Sequence, residues 1–230
     1  MTRLTGQERA SYVQNMFTRI AGRYDLMNRL MTGGQDIHWR RQVIQLARLR
    51  PHASLLDLGT GTGDLAREAL SQFPQARVIA ADFTLEMMRV GQKRGPLEFS
   101  SADALRLPFT DSSFDAVVSG FLMRNVIDLQ KALQEQYRVL KKGGRIVVLD
   151  TTRPKKNLLS PFIWLHMHVV IPLLGRILTG SSDAYRYLPE TTEGFVTAEN
   201  LASRMAVVGF KKIGYERLMF GTIAIHWGEK

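Results

Sequence analysis

Hydrophobic and polar positions follow two different rhythms along this chain, and the change of rhythm divides it. In residues 8–20, 24–32 and 37–49, apolar side chains recur at helical steps, as at Tyr12, Met16 and Ile20 or at Trp39, Val43 and Ala47. That period predicts amphipathic helices. Gly22 and Gly33-Gly34 punctuate them, and Pro51 ends the prelude. Beyond Pro51, short apolar runs predict strands at 54–58, 77–81, 97–101, 114–120 and 145–150. Helical periods at 64–73, 85–93 and 129–140 lie between them, and Gly143-Gly144 reads as a stop before the fifth strand. Strands and helices at this rhythm imply right-handed βαβ units and a parallel sheet. A helix at 197–208 and strands at 211–218 and 221–227 are predicted to close the chain.

One stretch breaks the pattern. Residues 158–178 are strongly apolar but are interrupted by Pro161, His166, His168, Pro172 and Arg176. A helix that crosses a bilayer needs about 20 apolar residues in succession, so this segment is expected not to span one. An interfacial helix, a greasy lid and a homodimer face all suit it. Four parts follow: a helical lid at 1–52, a core at 53–152, an apolar helical insertion at 153–196, and a closing helix and strands at 197–230.

Composition narrows the chemistry. At 230 residues and 45% hydrophobic content, one α/β domain with additions can bury a sizeable core. The absence of cysteine excludes disulfides, thiolate metal sites and a catalytic thiol. No constellation of metal ligands is evident. The first 14 residues lack the apolar run of an export signal, so a cytoplasmic location is expected. The net charge is +10, and in residues 1–52 nine arginines oppose only Glu8, Asp25 and Asp36. Such an arm suits an anionic membrane, nucleic acid or an acidic ligand.

The densest chemical signal is Leu55-Leu-Asp-Leu-Gly-Thr-Gly-Thr-Gly63-Asp64. An apolar strand ends in Asp57, and Gly59, Gly61 and Gly63 follow at alternate positions. Each glycine removes a Cβ where the backbone takes positive φ or a ligand approaches closely. Asp82 ends the second strand, nineteen positions past Gly63, where an acid can accept both hydroxyls of a ribose. Asp103 and Ala104 follow the third strand, where a carboxylate can receive an adenine amino group beside a small neighbour. Past the fourth strand comes Gly120-Phe-Leu-Met-Arg124-Asn125-Val126. An Arg and an Asn leaving a buried strand need partners, and they suit a donor pair that orients a substrate.

The Asp-x-Gly-x-Gly-x-Gly loop resembles motif I of the class I S-adenosylmethionine (SAM) methyltransferases. With the whole chain in view, the resemblance is to the ubiquinone/menaquinone biosynthesis C-methyltransferase family. It rests on Phe17, Arg23-Tyr-Asp-Leu-Met-Asn28, Trp39-Arg40, the 57–64 loop, Ala104…Leu107-Pro-Phe109 and Phe114-Asp115. Further matches are Arg124-Asn-Val126, Tyr137-Arg-Val-Leu-Lys141, Gly143-Gly144, Tyr185-Arg-Tyr-Leu188 and Gly209-Phe210. The resemblance implies a Rossmann-like, mostly parallel sheet of seven strands with its last strand antiparallel. It implies SAM as cofactor, with Asp57, Gly59, Gly61, Thr62, Gly63, Asp82, Asp103, Ala104 and Gly120 around it. Where the family reads Ser-Phe-Gly-Leu, this chain reads Gly120-Phe-Leu-Met123, which removes a hydroxyl and reshapes the pocket floor.

The implied reaction is C-methylation of a reduced, prenylated quinone, demethylmenaquinol above all. Other small phenols or polyprenyl rings are the alternative substrates. Only the quinol ring is electron-rich, and losing its hydroxyl proton pushes charge onto the ring carbon. Arg124 is expected to favour that phenolate, Tyr24 to donate or relay a proton, and Asn125 to fix the ring. A water is expected to accept the proton, with His166 and His168 as alternatives. A prenyl tail keeps its ring at the bilayer, so 158–178, flanked by Lys155-Lys156 and Arg176, is the expected peripheral membrane contact. Nucleic acid is not the expected partner, because no Asn/Asp-Pro-Pro-aromatic string follows the fourth strand to hold a flipped base. A non-catalytic adaptor would have no use for the intact loop, ribose acid and Arg-Asn pair.

Overall fold

The computed structural model describes residues 6–153, 160–173, 189 and 191–230. Tyr185-Arg-Tyr-Leu188 lies outside them, as do Lys155, Lys156 and the end of the apolar segment from 174 onward. Three helices open the described chain: α1 (Gly6–Ile20), α2 (Tyr24–Met31) and α3 (Gln35–Ala47). β1 (Ser54–Leu58), α4 (Asp64–Gln72), β2 (Arg77–Asp82), α5 (Leu85–Gln92), β3 (Glu98–Ser101) and β4 (Phe114–Gly120) follow. Then come α6 (Leu129–Val139), β5 (Leu140–Thr151), α7 (Ser160–Leu165), α8 (Ala198–Val208), β6 (Lys211–Leu218) and β7 (Ile223–Glu229).

The strands form a seven-stranded sheet in the order β3-β2-β1-β4-β5-β7-β6. β1 to β5 pair in parallel, while β7 runs antiparallel to both of its neighbours. One reversed strand in an otherwise parallel sheet is the expected arrangement. The chain builds outward from β1 to β3, then crosses to β4 on the other side. That reversal opens a crevice at the carboxyl ends of β1 and β4, the position where open α/β sheets bind ligands.

Strand alternation sorts the core into two layers. Leu56, Val117, Ile146 and Val148 face one side, with Ala132 and Leu133 of α6 and Leu201 and Met205 of α8. Leu55, Ala116, Val118, Val147 and Leu149 face the other, with Trp39, Val43 and Ile44 of α3 and Leu65, Ala66 and Ala69 of α4. A third, smaller cluster joins Met16 and Ile20 of α1 and Met27 of α2 to Ile171.

Two elements depart from the sequence reading. β5 begins at Leu140 rather than at Arg145, because Gly143-Gly144 does not stop the strand. The register instead slips between Phe114↔Leu140 and Ala116↔Arg145. Gly143, at φ +78°, turns the backbone so that its N–H reaches the Lys230 carbonyl at 2.9 Å. In the apolar segment, α7 widens into a π turn over His166–Val170, with the Ile171 N–H on the His166 carbonyl. Pro172 follows directly. Its ring has no N–H and would clash with the carbonyl four residues back in a regular helix, and the wider turn precedes that position.

Candidate active site

The glycine loop adopts the backbone that its residues allow. Gly59, Gly61 and Gly63 have φ of +69°, +59° and +91°, a region costly for side chains with a Cβ. Space is short as well: a Cβ on Gly59 would sit 2.9 Å from Leu122, and one on Gly63 would sit 2.5 Å from Leu97. Leu122 thus occupies the room above the first glycine. A Cβ on Gly120 would stand 3.1 Å from Leu65, so the missing family serine goes with a close approach of α4.

Two carboxylates organise the loop. Asp82 accepts the Gly61 N–H at 2.8 Å and the Thr84 N–H at 2.7 Å, and burial raises its pKa above the usual carboxylate value. Asp57 is fully buried and accepts the Thr60 hydroxyl and the Ala66 N–H on Oδ2. Its other oxygen, Oδ1, has no hydrogen-bond partner within the chain. Desolvation lifts the Asp57 pKa to about 7, against the opposing pull of those two bonds. A buried carboxylate oxygen with no donor is costly, which is the same cost that raises the Asp57 pKa.

Thr62 lies in the same loop but is turned away from the large cleft. Its hydroxyl donates to Asp25 of α2 at 2.8 Å. Arg94 joins the cluster, with Nη1 at 2.7 Å from Asp25, 2.8 Å from Asp64 and 3.1 Å from the Thr62 hydroxyl. Arg40 ties Asp64 to Asp36 at 2.8 Å each. α2 and α3 are thereby fastened to the glycine loop by charge. α1 is fastened too: Arg9 donates to the Arg124 carbonyl and Gln14 to the Phe83 carbonyl.

Three cavities meet over the sheet. An open cleft of about 980 Å³ runs between α1 and the ends of β1, β2 and β4. Gly59, Asp82, Asp103, Ala104, Gly120, Tyr24 and Asn125 line it, with apolar walls from Phe17, Phe83, Met87, Leu105 and Val126. Asp103 accepts the Leu105 N–H on Oδ1 as an Asx turn while its residue still faces the cleft. A second, more polar space of about 430 Å³ is lined by Asp57, Gly59, Gly61, Thr62, Asp25, Asn28 and Arg40. A third, of about 540 Å³, lies on the far side of Phe121 between Arg124, Asn28, Met31, His166, Met167 and Ile171. Phe121 lines all three. Its φ of +60° is strained for a residue with a side chain, a feature that clusters at functional sites.

The catalytic candidates are split by this arrangement. Tyr24 and Asn125 face the large cleft, and Arg124 faces the third chamber. Burial raises the Tyr24 pKa, more than the Arg124 charge and the Asn28 hydrogen bond lower it, so the phenol is a proton donor at neutral pH. Arg124 is buried; its Nη1 pairs with Asp150 at 2.6 Å and its guanidinium lies 5.0 Å from the Phe121 ring centre. Asn125 donates to the Phe121 carbonyl at 3.0 Å. The sequence assigns no site role to Asp150 or Phe121, nor to Asp25 and Asn28, which it marks only as part of the Arg23-Tyr-Asp-Leu-Met-Asn28 string. Asp150 carried a usable signal, since like Asp82 it is an acid at the carboxyl end of a strand.

A model of the ubiE/COQ5 methyltransferase family matches residues 3–230. The chain belongs to that family. It is 46% identical to the ubiquinone/menaquinone biosynthesis C-methyltransferase UbiE of Desulfotalea psychrophila, over 95% of this chain and 90% of that protein. It is 44% identical to the demethylmenaquinone methyltransferase of Thermus thermophilus, over 94% of this chain and all of that protein. Among solved structures, a Thermotoga maritima SAM-dependent methyltransferase, described as a possible histamine N-methyltransferase, has the same fold. It aligns with a TM-score of 0.66 and 21% identity, over 94% of this chain and 98% of that one.

The protein is accordingly a SAM-dependent methyltransferase. Its residues fit the donor. Asp82 retains lone pairs for ribose hydroxyls and lines the open cleft, and the unpartnered Asp57 oxygen suits an ammonium group. The apolar walls beside Asp103 and Ala104 suit a flat base.

Proposed function

We propose that this methyltransferase acts on a ring carbon of a reduced prenylated naphthoquinone, converting demethylmenaquinol to menaquinol. The observation that carries the reading is the position of Phe121, which lines both the donor cleft and the chamber beside Arg124, so that a methyl donor and a ring carbon can be brought into contact along its edge. Relatives named for this substrate match the chain over nearly its whole length and theirs.

SAM would be held by Asp57, Gly59, Gly61, Gly63, Asp82, Asp103 and Ala104, with Gly120 on the floor, and it supplies an electrophilic methyl group. Thr62 acts through Asp25, holding α2 of the helical lid against the loop. The quinol ring belongs in the chamber beside Arg124. That guanidinium stays protonated and stabilises negative charge on a ring oxygen, while Asp150 fixes its orientation. Tyr24 and Asn125 close the donor side and exclude water. Asp82→Ala is expected to abolish SAM binding in calorimetry. Arg124→Ala should bind SAM normally but lose about 10²-fold or more in turnover, as for other lost charge-stabilising donors. Normal turnover by both variants would refute these placements.

The chamber opens beside an exposed apolar stripe, which supports a peripheral membrane contact. Met167 and Ile171 turn inward, whereas Phe162, Leu165, Val169 and Leu173 turn outward, with Phe162 69% exposed. Trp164 is also exposed and stacks on His168. Among the described residues no helix is long and apolar enough to cross a membrane, so the stripe would lie on the surface. A quinol could then enter ring-first while its tail stayed in lipid. Phe162→Asp with Leu165→Asp should release the protein from anionic vesicles in sedimentation and leave SAM affinity unchanged. Unaltered sedimentation, or a dimer in solution that buries Trp164, would assign this face elsewhere.

A further inference from the structure

We propose that His166 accepts the proton of the substrate hydroxyl, working across the chamber from Arg124. The inference rests on the acceptor being a hydroxyl-bearing ring, as proposed above. His166 and Arg124 line the same cavity, whose other walls include Met31, Phe121, Met167 and Ile171. Arg124 has no lone pair to offer. Tyr24 faces the donor cleft and is held protonated by burial.

The tautomer of His166 follows from its surroundings. Nε2 lies 3.3 Å from the Met31 carbonyl oxygen. A carbonyl only accepts, so Nε2 carries the hydrogen, and in the neutral ring Nδ1 carries the lone pair. His166 also begins the π turn, the kind of local widening that recurs at functional sites.

His168 is not equivalent. Its Nδ1 faces the Trp164 carbonyl, its Nε2 lies 3.3 Å from Glu193, and its ring stacks on Trp164. The charged groups around His166 are few among the described residues. Arg124 faces it from beyond β4, and Asp150 of β5 stands behind Arg124 as its partner. On α2, Arg29 is directed at Asp36, and Glu193 is directed at His168.

The step is a proton transfer. The substrate O–H bond breaks, an N–H bond forms at Nδ1, and a neutral pair becomes an imidazolium and an aryl oxide. The oxide faces Arg124, so its charge is met as it forms. An oxidised quinone has no such proton, which makes the chamber selective for the reduced ring.

The full-length protein with 1-naphthol, without SAM, tests this directly. Naphtholate absorbs apart from naphthol, so ionisation in the complex is read by titrating its band, with imidazole NMR as a second signal. Expected in the wild type is a naphtholate band at a pH at least one unit below that of free naphthol, with His166 gaining a proton on binding. His166→Gln preserves the bond to Met31 and should bind naphthol within threefold yet lose the low-pH band. His166→Asn should behave alike, and His168→Gln should keep the band. An unchanged band in both His166 variants, or failure of naphthol to bind the wild type, overturns the proposal. Product formation from demethylmenaquinol and SAM by the wild type is assayed separately. If product forms but the band is indifferent to His166, only this assignment fails; if no product forms, the substrate reading itself fails.

Discussion

Asp57 shows how one residue is tuned by where a strand ends. The first strand delivers its carboxylate into a fully buried position, Thr60 of the loop and the Ala66 N–H of α4 both donate to one oxygen, and the other oxygen receives none. Burial dominates and the pKa rises to about 7. For an acid raised in the folded state, the folded protein holds the proton more tightly than the unfolded chain. Asp57 therefore contributes most to stability below about pH 4 and loses that contribution as pH rises to about 7. Asp57→Asn cannot ionise, so its stability relative to wild type should climb between those values and level off above. SAM binding should show the opposite slope. An ammonium group needs the ionised carboxylate, so the wild-type Kd should fall about tenfold from pH 6 to pH 8, and the Asn variant should be flat. Calorimetry at several pH values measures both; a wild-type Kd independent of pH would remove Asp57 from the donor site. Phe121 makes the complementary point. Nothing in its residue type announced a role, because its importance comes from a positive φ and from standing between three cavities.

Between elements, the sheet and its glycine loop were legible in sequence, while the fastening of the helices to them was not. Apolar runs and alternating glycines are local signals, and they placed β1, β2, β4, Gly59 and Asp82 where the fold has them. The Asp25–Thr62 contact spans 37 positions and the Arg94–Asp25 contact spans 69. No local period encodes such pairs. β5 starts earlier than the sequence reading places it, because Gly143-Gly144, a turn signal in sequence, here lies in a register slip opposite β4. The fastening has a mechanical consequence. Arg94 alone bridges Asp25, Asp64 and Thr62, and burial and the Asp64 charge together raise the Asp25 pKa. Arg94→Ala removes the cation that Asp25 and Asp64 share, leaving Asp25 with the Thr62 hydroxyl and Asp64 with Arg40. Arg94 is 39% exposed, so solvent screens it and the global cost should stay within about 1 kcal/mol in urea unfolding. Its effect should be local: faster hydrogen exchange in α1 and α2 and faster SAM release. Exchange in those helices equal to wild type would mean that the charges do not hold the lid.

Across the whole molecule, the proposed placement has donor and acceptor served by different parts of the chain, and this can be tested without catalysis. The donor cleft is built from the ends of β1, β2 and β4 with α1 as its roof. The acceptor chamber takes Asn28, Met31 and Thr32 from the end of α2 and the loop beyond it, and His166, Met167 and Ile171 from the apolar segment. A ligand stabilises only the state it binds, and at a hundredfold its Kd that amounts to about 2.7 kcal/mol. SAM should therefore raise the melting temperature and slow hydrogen exchange chiefly in α1 and in the loop 59–63. A reduced naphthoquinol analogue should slow exchange chiefly in residues 160–173 and at the end of α2. Removing each ligand by dialysis should reverse its own pattern. The two patterns meet at Phe121, Asn28 and Tyr24, so both ligands together should protect residues 120–126 more than the sum of their separate effects. Asp82→Ala should erase the SAM pattern and keep the quinol pattern. If the two ligands instead protect the same residues and compete, donor and acceptor share one cavity, and the division at Phe121 is wrong.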